Sequence, residues 1–206
     1  LAIAGDGAAV GELAVRALAL HPRSGALRVG AADALWHGGR PLATEVLPGL
    51  ARDLQALRGE DAFRVQLALA DHYRRLGDTA AALAAYQAAL AYQGDQPEAL
   101  WGRAATLALD GRWDDAFAQY QAALRLRTGL VPLRRDYALD LLRAGRTEPA
   151  RAQVREALIL DPADPDTLAL KGWLALIDGD AAAARRDADE ALVLGPWSDL
   201  AVIVKA

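Results

Sequence analysis

The sequence has 206 residues, 53% hydrophobic and 24% charged, with a formal net charge of −4 and neither Cys nor Met. That is the composition of a folded, soluble chain; without cysteine it excludes disulfides, Cys-ligated zinc and thiol catalysis, and its charge gives no electrostatic pull toward nucleic acid. No run approaches the ~18 to 20 apolar residues of a membrane span, and the opening LAIAGDGAAV lacks the basic start and long apolar stretch of a signal peptide.

Usage is lopsided. Lys171 and Lys205 are the only lysines, Asn is absent, and Ser24 and Ser198 are the only serines. An Arg excess of this kind points to GC-rich coding before it points to function. With no starting Met, the chain is expected to be a piece of a longer bacterial protein or a processed product.

Glycines give the organisation. Gly5 and Gly39 lie 34 residues apart, a longer step leads to Gly77, and the spacing of 34 then holds through Gly111, Gly145 and Gly179. Ala82, Ala116, Ala150 and Ala184 keep the same step, as do the pairs beginning at Ala89, Ala123, Ala157 and Ala191. A fixed period of this length is the signature of a stacked-repeat architecture.

In chain order, residues 1–24 supply the second helix of a partial repeat and 25–58 form a full one. Pro48, followed by Gly49, falls inside the expected second helix of 25–58 and predicts a kink or break. The four extra residues, 59–62, are an insertion, either an irregularity of the array or a hinge. Regular repeats follow at 63–96, 97–130, 131–164 and 165–198, and 199–206 begins a further helix. Within 67–90, apolar residues recur at three and four over two stretches, interrupted once at Leu76 to Thr79, which predicts two helices and one tight turn. The turn glycine suits a left-handed C′ position. Asp78 or Thr79, then Asp114, Thr147 and Asp180, are predicted to cap the second helices, and Pro149 fits a first helical turn. Asp161-Pro162 and Gly195-Pro196 end one repeat before the next begins. Ala70, Ala104, Ala138 and Gly172 on the first helices, with the Ala82 and Ala89 series on the second, let backbones approach closely. Tyr73, Leu107, Leu141, Tyr86 and Tyr120 then fill the gaps.

Small residues at the eighth, twentieth and twenty-seventh positions, a large one at the eleventh, an aromatic at the twenty-fourth and Pro at the thirty-second make this unit resemble the tetratricopeptide repeat. The resemblance covers nearly the whole chain. It implies an all-α fold, a right-handed superhelical solenoid of antiparallel helix pairs over 1–206, with first helices lining a concave groove. A pentatricopeptide, RNA-reading array would need a longer period and polar base-reading positions.

Enzyme chemistry finds no footing. His21, His37 and His72 lie in different units with no second His at ligand spacing. Gly5-Asp6-Gly7 and Gly38-Gly39 lack the following Gly-Lys-Ser/Thr of a phosphate loop. Asp161 to Asp166 lacks the Gly and Glu of a calcium loop. No cofactor and no metal are expected.

In the resembled family the groove is formed by the second, fifth, ninth, twelfth and thirteenth positions. Those positions include Asp33, Trp36 and His37, then Arg64, Asp71, Arg74 and Arg75, then Trp101, Arg135, Arg143 and Trp173. Arginine and aromatic side chains suit a peptide groove; the competing reading packs Trp101 and Trp173 between layers and leaves the arginines solvated. The ninth positions hold Asp71, Ala105, Leu139 and Trp173, so the Lys and Asn carboxylate clamp of chaperone-binding members is missing, although Arg64, Arg74, Arg75 and Arg135 could still bind an acidic segment. On this assignment, reversing the charge of Arg74 and Arg75 weakens partner binding and leaves helicity unchanged.

The expected function is a non-catalytic scaffold holding a protein or peptide partner. General resemblance and composition suggest the periplasmic repeat region of an exopolysaccharide (for example cellulose) synthesis or export protein. The alternatives are a substrate-recognition array fused to a cytoplasmic enzyme such as a glycosyltransferase, or a self-assembling scaffold. Leu200, Val202, Ile203 and Val204 do not make a polar cap, which raises self-association through the C-terminal end.

Overall fold

The computed structural model describes residues 57–206 except residue 93, together with residues 13, 16, 17, 20 and 54. Among these the secondary structure is helical throughout: α1 (Gly59–Arg75), α2 (Thr79–Tyr92), α3 (Pro97–Leu109), α4 (Trp113–Leu126), α5 (Val131–Arg143), α6 (Thr147–Leu160), α7 (Pro165–Ile177), α8 (Ala181–Leu194) and α9 (Asp199–Lys205). The chain divides into two compact units between Arg112 and Trp113. The boundary falls at the turn inside repeat 97–130.

The turn between paired helices is the same each time, and glycine is why. Gly77, Gly111, Gly145 and Gly179 have φ of 77°, 74°, 72° and 81°, a region where a Cβ costs about 1 to 2 kcal/mol. Nothing lies within 4 Å of where those Cβ atoms would stand, so the requirement is conformational and not one of space. The left-handed residue lets two N–H groups turn back onto the helix end. Gly77 donates to Arg74 O at 3.1 Å and Asp78 to Tyr73 O at 3.0 Å; Gly145 and Arg146 do the same to Leu142 O and Leu141 O.

The residue after the glycine stands at the N-cap of the second helix, one position earlier than the sequence suggests for two of the caps. Asp78 accepts from Ala81 N at 3.0 Å and Asp180 from Ala183 N at 2.8 Å, so these two cap as expected. Asp114 and Thr147 do not: both lie inside the first turn, and the N-cap of α6 is Arg146, with no side-chain cap bond. The reason is register, because one residue separates the turn glycine from the helix whatever its type. Between repeats, Asp164 accepts from Thr167 N at 2.9 Å, and Ser198 accepts from Ala201 N while donating to Asp166 Oδ1 at 2.6 Å.

Residues 59–62 are the first turn of α1, which at 17 residues is four longer than the 13 of α3, α5 and α7. The extra residues therefore lengthen a helix in place of breaking one. Pro48 and the whole of 25–53 lie outside the described residues.

In the first unit α2 packs on α1 and on α3. Its core gathers Phe63, Leu67, Ala70, Ala82, Ala85, Tyr86, Ala89 and Ala99. Ala70, Ala82 and Ala89 are fully buried, as the small-residue positions require. Tyr86 fits because Gly102 faces it: a Cβ on Gly102 would stand well inside contact distance of the ring edge and hydroxyl. In the second unit α4 packs on α5, α5 on α6, α6 on α7 and α7 on α8, while α9 lies against both α7 and α8. Gly172 makes the last contact close, since its Cβ would stand 3.0 Å from Val204 and 3.1 Å from the Ala184 carbonyl. On α9, Ala201 and Val204 are buried, whereas Val202 and Ile203 face solvent. No helix among the described residues is long and apolar enough to cross a membrane.

Candidate peptide-binding groove

Three of the candidate groove residues form one ion cluster on α1. Asp71 is buried, and residues three and four later on a helix return to its face. Arg74 Nη2 donates to Asp71 Oδ1 at 2.5 Å, and Arg75 Nη2 lies 2.7 Å from Oδ2. Burial disfavours the Arg74 cation, yet the Tyr86 phenol and the Asp71 carboxylate beside it more than offset this and raise its pKa. Burial pushes the Tyr86 hydroxyl up to about 12, against the pull of Arg74. Neighbouring His72 is pushed down, first by burial and then by the charge of Arg75, with Asp71 opposing. Arg64 pairs with Glu60 across 2.6 Å in an exposed helical pair, and Trp101 is half-buried on α3.

In the second unit Arg143, itself exposed, reaches a buried carboxylate. Its Nη1 donates to Asp140 Oδ1 at 3.1 Å, and the Tyr120 hydroxyl donates to Oδ2 at 2.7 Å. Burial raises the Asp140 pKa, opposed by the bond from Tyr120 and the charge of Arg143. Trp173 packs half-buried on Ala184, Ala188 and Val204. Asp33, Trp36 and His37 lie outside the described residues.

Arg135 lines a cavity on the first-helix side. The cavity, of about 320 Å³, is lined by Arg135, Asp136, Leu139, Asp166, Leu170, Trp197, Asp199 and Leu200, from α5, α7, the Gly195 to Ser198 linker and α9. Arg135 Nη1 is 3.3 Å from Asp166 Oδ2 and 3.7 Å from Asp164 Oδ1, and its Nε is 3.5 Å from Asp136 Oδ1. Trp197 is 79% exposed at its edge. Leu139 and Asp166 stand at ninth and second positions, so the repeat phase could have found them, but neither was among the groove residues chosen. Trp197, Asp199 and Leu200 come from the next repeat boundary. No group of three His, Asp or Glu placed to hold a metal occurs among the described residues.

The sequence profile of the tetratricopeptide repeat matches residues 67–130 and 136–199. The chain belongs to the tetratricopeptide repeat family. A search of curated proteins finds no match. Among solved structures, the chain is similar to the APC/C hetero-tetramer Cut9-Hcn1 (TM-score 0.78, 14% identity, covering 97% of this chain) and spans 39% of the length of that chain. It is similar to YrrB, described as a tetratricopeptide protein with an unusual peptide-binding site (TM-score 0.64, 16% identity, 95% of this chain and 98% of that one). It is also similar to a thermophilic tetratricopeptide protein of Thermus thermophilus (TM-score 0.64, 20% identity, 96% of each chain). At these identities the likeness is one of fold; it carries nothing about compartment or an export role. The all-α array of tetratricopeptide helix pairs is a protein–protein interaction scaffold by architecture.

Proposed function

We propose that this tetratricopeptide array is a non-catalytic scaffold whose first helices hold a partner segment in the cavity around Arg135. The observation that carries this reading is the composition of that cavity. Leu139, Leu200 and the ring of Trp197 offer an apolar surface over the buried Leu170, and Arg135 is outnumbered by Asp136, Asp166 and Asp199. A preformed apolar site with a few polar groups binds without first ordering itself. The charge balance favours a basic-apolar segment over an acidic one, because the other candidate arginines are engaged: Arg74 and Arg75 with Asp71, Arg64 with Glu60 and Arg143 with Asp140. YrrB, of the same fold, is described as having a peptide-binding site, which is consistent with this use of the architecture.

Fluorescence anisotropy tests it with two fluorescein-labelled peptides, one alternating Leu with Lys or Arg, the other Leu with Asp or Glu. The basic peptide is expected to bind more tightly, and Asp136→Lys with Asp199→Lys to weaken it at least tenfold with helicity kept. Equal binding of both peptides, or affinity that survives the double charge reversal, overturns the reading.

A further inference from the structure

Where α4 packs on α5, aromatic rings fill the space between successive repeats. Trp113 and Phe117 have centroids 6.3 Å apart, Phe117 and Tyr137 5.7 Å, and Tyr120 stacks on Tyr137 at 4.9 Å. One repeat later, where α6 packs on α7, the same four positions hold Thr147, Arg151, Val154 and Lys171. All four rings are gone. The large eleventh-position residue is gone as well, since Ala175 stands where the preceding repeats carry Tyr73, Leu107 and Leu141. Here a cavity of about 660 Å³ opens between α6, α7 and α8, with Val154, Leu158, Leu174 and Ala175 among its lining.

Its rim is charged. Arg151 Nη2 meets Asp178 Oδ1 at 2.9 Å and Lys171 Nζ meets Asp187 Oδ1 at 2.7 Å, so those two cations are already paired. Asp180 spends one carboxylate oxygen on the cap of α8. Arg155, on the exposed side of α6, has no such carboxylate partner among the described residues. The cavity uses a different stripe of α7 from the groove: Lys171, Leu174 and Ala175 here, Asp166 and Leu170 there.

We propose that this cleft is a second docking site, which takes an aromatic side chain of a protein partner presented beside a carboxylate. The array shows what suits the space, because one repeat earlier rings occupy it. A ring brings a large apolar area into contact with Leu158, Ile159 and Ala175, which lie over the buried Val154 and Leu174. The Arg155 guanidinium supplies the complementary charge for the adjoining carboxylate and can lie over the ring face. The volume lies within the range of small-ligand pockets, roughly 300 to 1,000 Å³, and so has room for a ring and its neighbouring carboxylate.

The test uses a nine-residue fluorescein-labelled peptide with a central Phe flanked by Asp, compared with the same peptide carrying Ala at the centre or Lys at the flanks. The Phe peptide is expected to bind at least tenfold more tightly than either, with amide chemical shifts moving at Val154, Leu174 and Ala175. Ala175→Leu and Val154→Tyr, which restore residues used at those positions in earlier repeats, are expected to abolish binding with the melting temperature retained. Should either filled variant fail to fold, Arg155→Glu supplies the second reading, an expected tenfold loss. Equal binding of the Phe and Ala peptides, shifts confined to the Arg135 cavity, or affinity unchanged in the filled variants overturns the proposal. Self-association that Ala175→Leu removes, with no peptide binding, would assign the cleft to a second copy of the chain and overturn it equally.

Discussion

The hydroxyl of Tyr120 donates to Oδ2 of Asp140 across 2.7 Å, tying α4 to α5 between the twenty-fourth position of one repeat and the tenth of the next. Both residues are buried, so the carboxylate depends on this donor and on Arg143 for its hydrogen bonding. The ring of Tyr120 stacks on Tyr137 and fixes where the hydroxyl points.

Tyr120→Phe keeps the stack and removes the donor, at an expected cost of about 1 to 3 kcal/mol for leaving a buried oxygen unsatisfied. Burial raises the folded-state pKa of Asp140 above its unfolded value of about 3.9. A raised carboxyl pKa means that its stabilising contribution is fully present below the unfolded value and is lost as pH rises through the folded one. The lost bond favoured the ionised form, so the deficit of Tyr120→Phe should grow with pH across the acidic range. Urea unfolding of both proteins at several pH values reads this directly; a deficit that stays constant with pH would count against the role given to the bond.

Gly102→Ala tests the close approach of α2 and α3. The added Cβ would meet the Tyr86 ring edge and hydroxyl, and the ring is too enclosed to step aside. Overpacking of this kind costs about 1 to 3 kcal/mol. In a Tyr86→Leu background, where the ring is gone, the same substitution should cost much less. A double-mutant cycle in the melting temperature shows the coupling, and strict additivity would place the clash elsewhere.

Arg74→Glu with Arg75→Glu is expected to unfold or loosen the first unit, where the sequence alone suggested weaker partner binding with helicity unchanged. Both guanidiniums hold the buried carboxylate of Asp71. Replacing them with carboxylates leaves three like charges around one buried site, and breaking a buried pair costs about 3 to 5 kcal/mol. Asp71→Asn added to the double variant should recover part of the loss, because it removes the charge that cannot be neutralised. Thermal melts followed by circular dichroism decide it, and a double variant that melts like the parent would show that the cluster is not structural.

The departures from regularity were as legible as the pattern, once each was set against its own repeat position. Ala175 and Val154 are visible in the sequence as small residues at large positions, yet without the packing of α6, α7 and α8 they read only as weaker copies of the motif. Trp173 shows the opposite case. Its ninth position placed it in the groove, but Gly172 lets α7 approach α8 and α9 closely, and the indole packs on Ala184, Ala188 and Val204.

What the sequence determined by itself is what short-range sterics determine. Gly77, Gly111, Gly145 and Gly179, 34 residues apart, each set a left-handed turn, alanines at fixed offsets set how near two helices can lie, and together they specify the tetratricopeptide pair without any distant contact. The tertiary structure decided the fate of the long charged side chains and of the empty space. An arginine reaches several ångströms from its helix, so whether it meets a partner or a carboxylate of its own chain depends on which helices are brought beside it. Arg74 and Arg75 find Asp71 within one helix, whereas Arg135 on α5 finds Asp164 at the end of its own repeat and Asp166 at the start of the next. Cavities follow the same rule, since a void is set by the sum of side-chain volumes that several helices bring to one place, and no single stretch of sequence contains that sum.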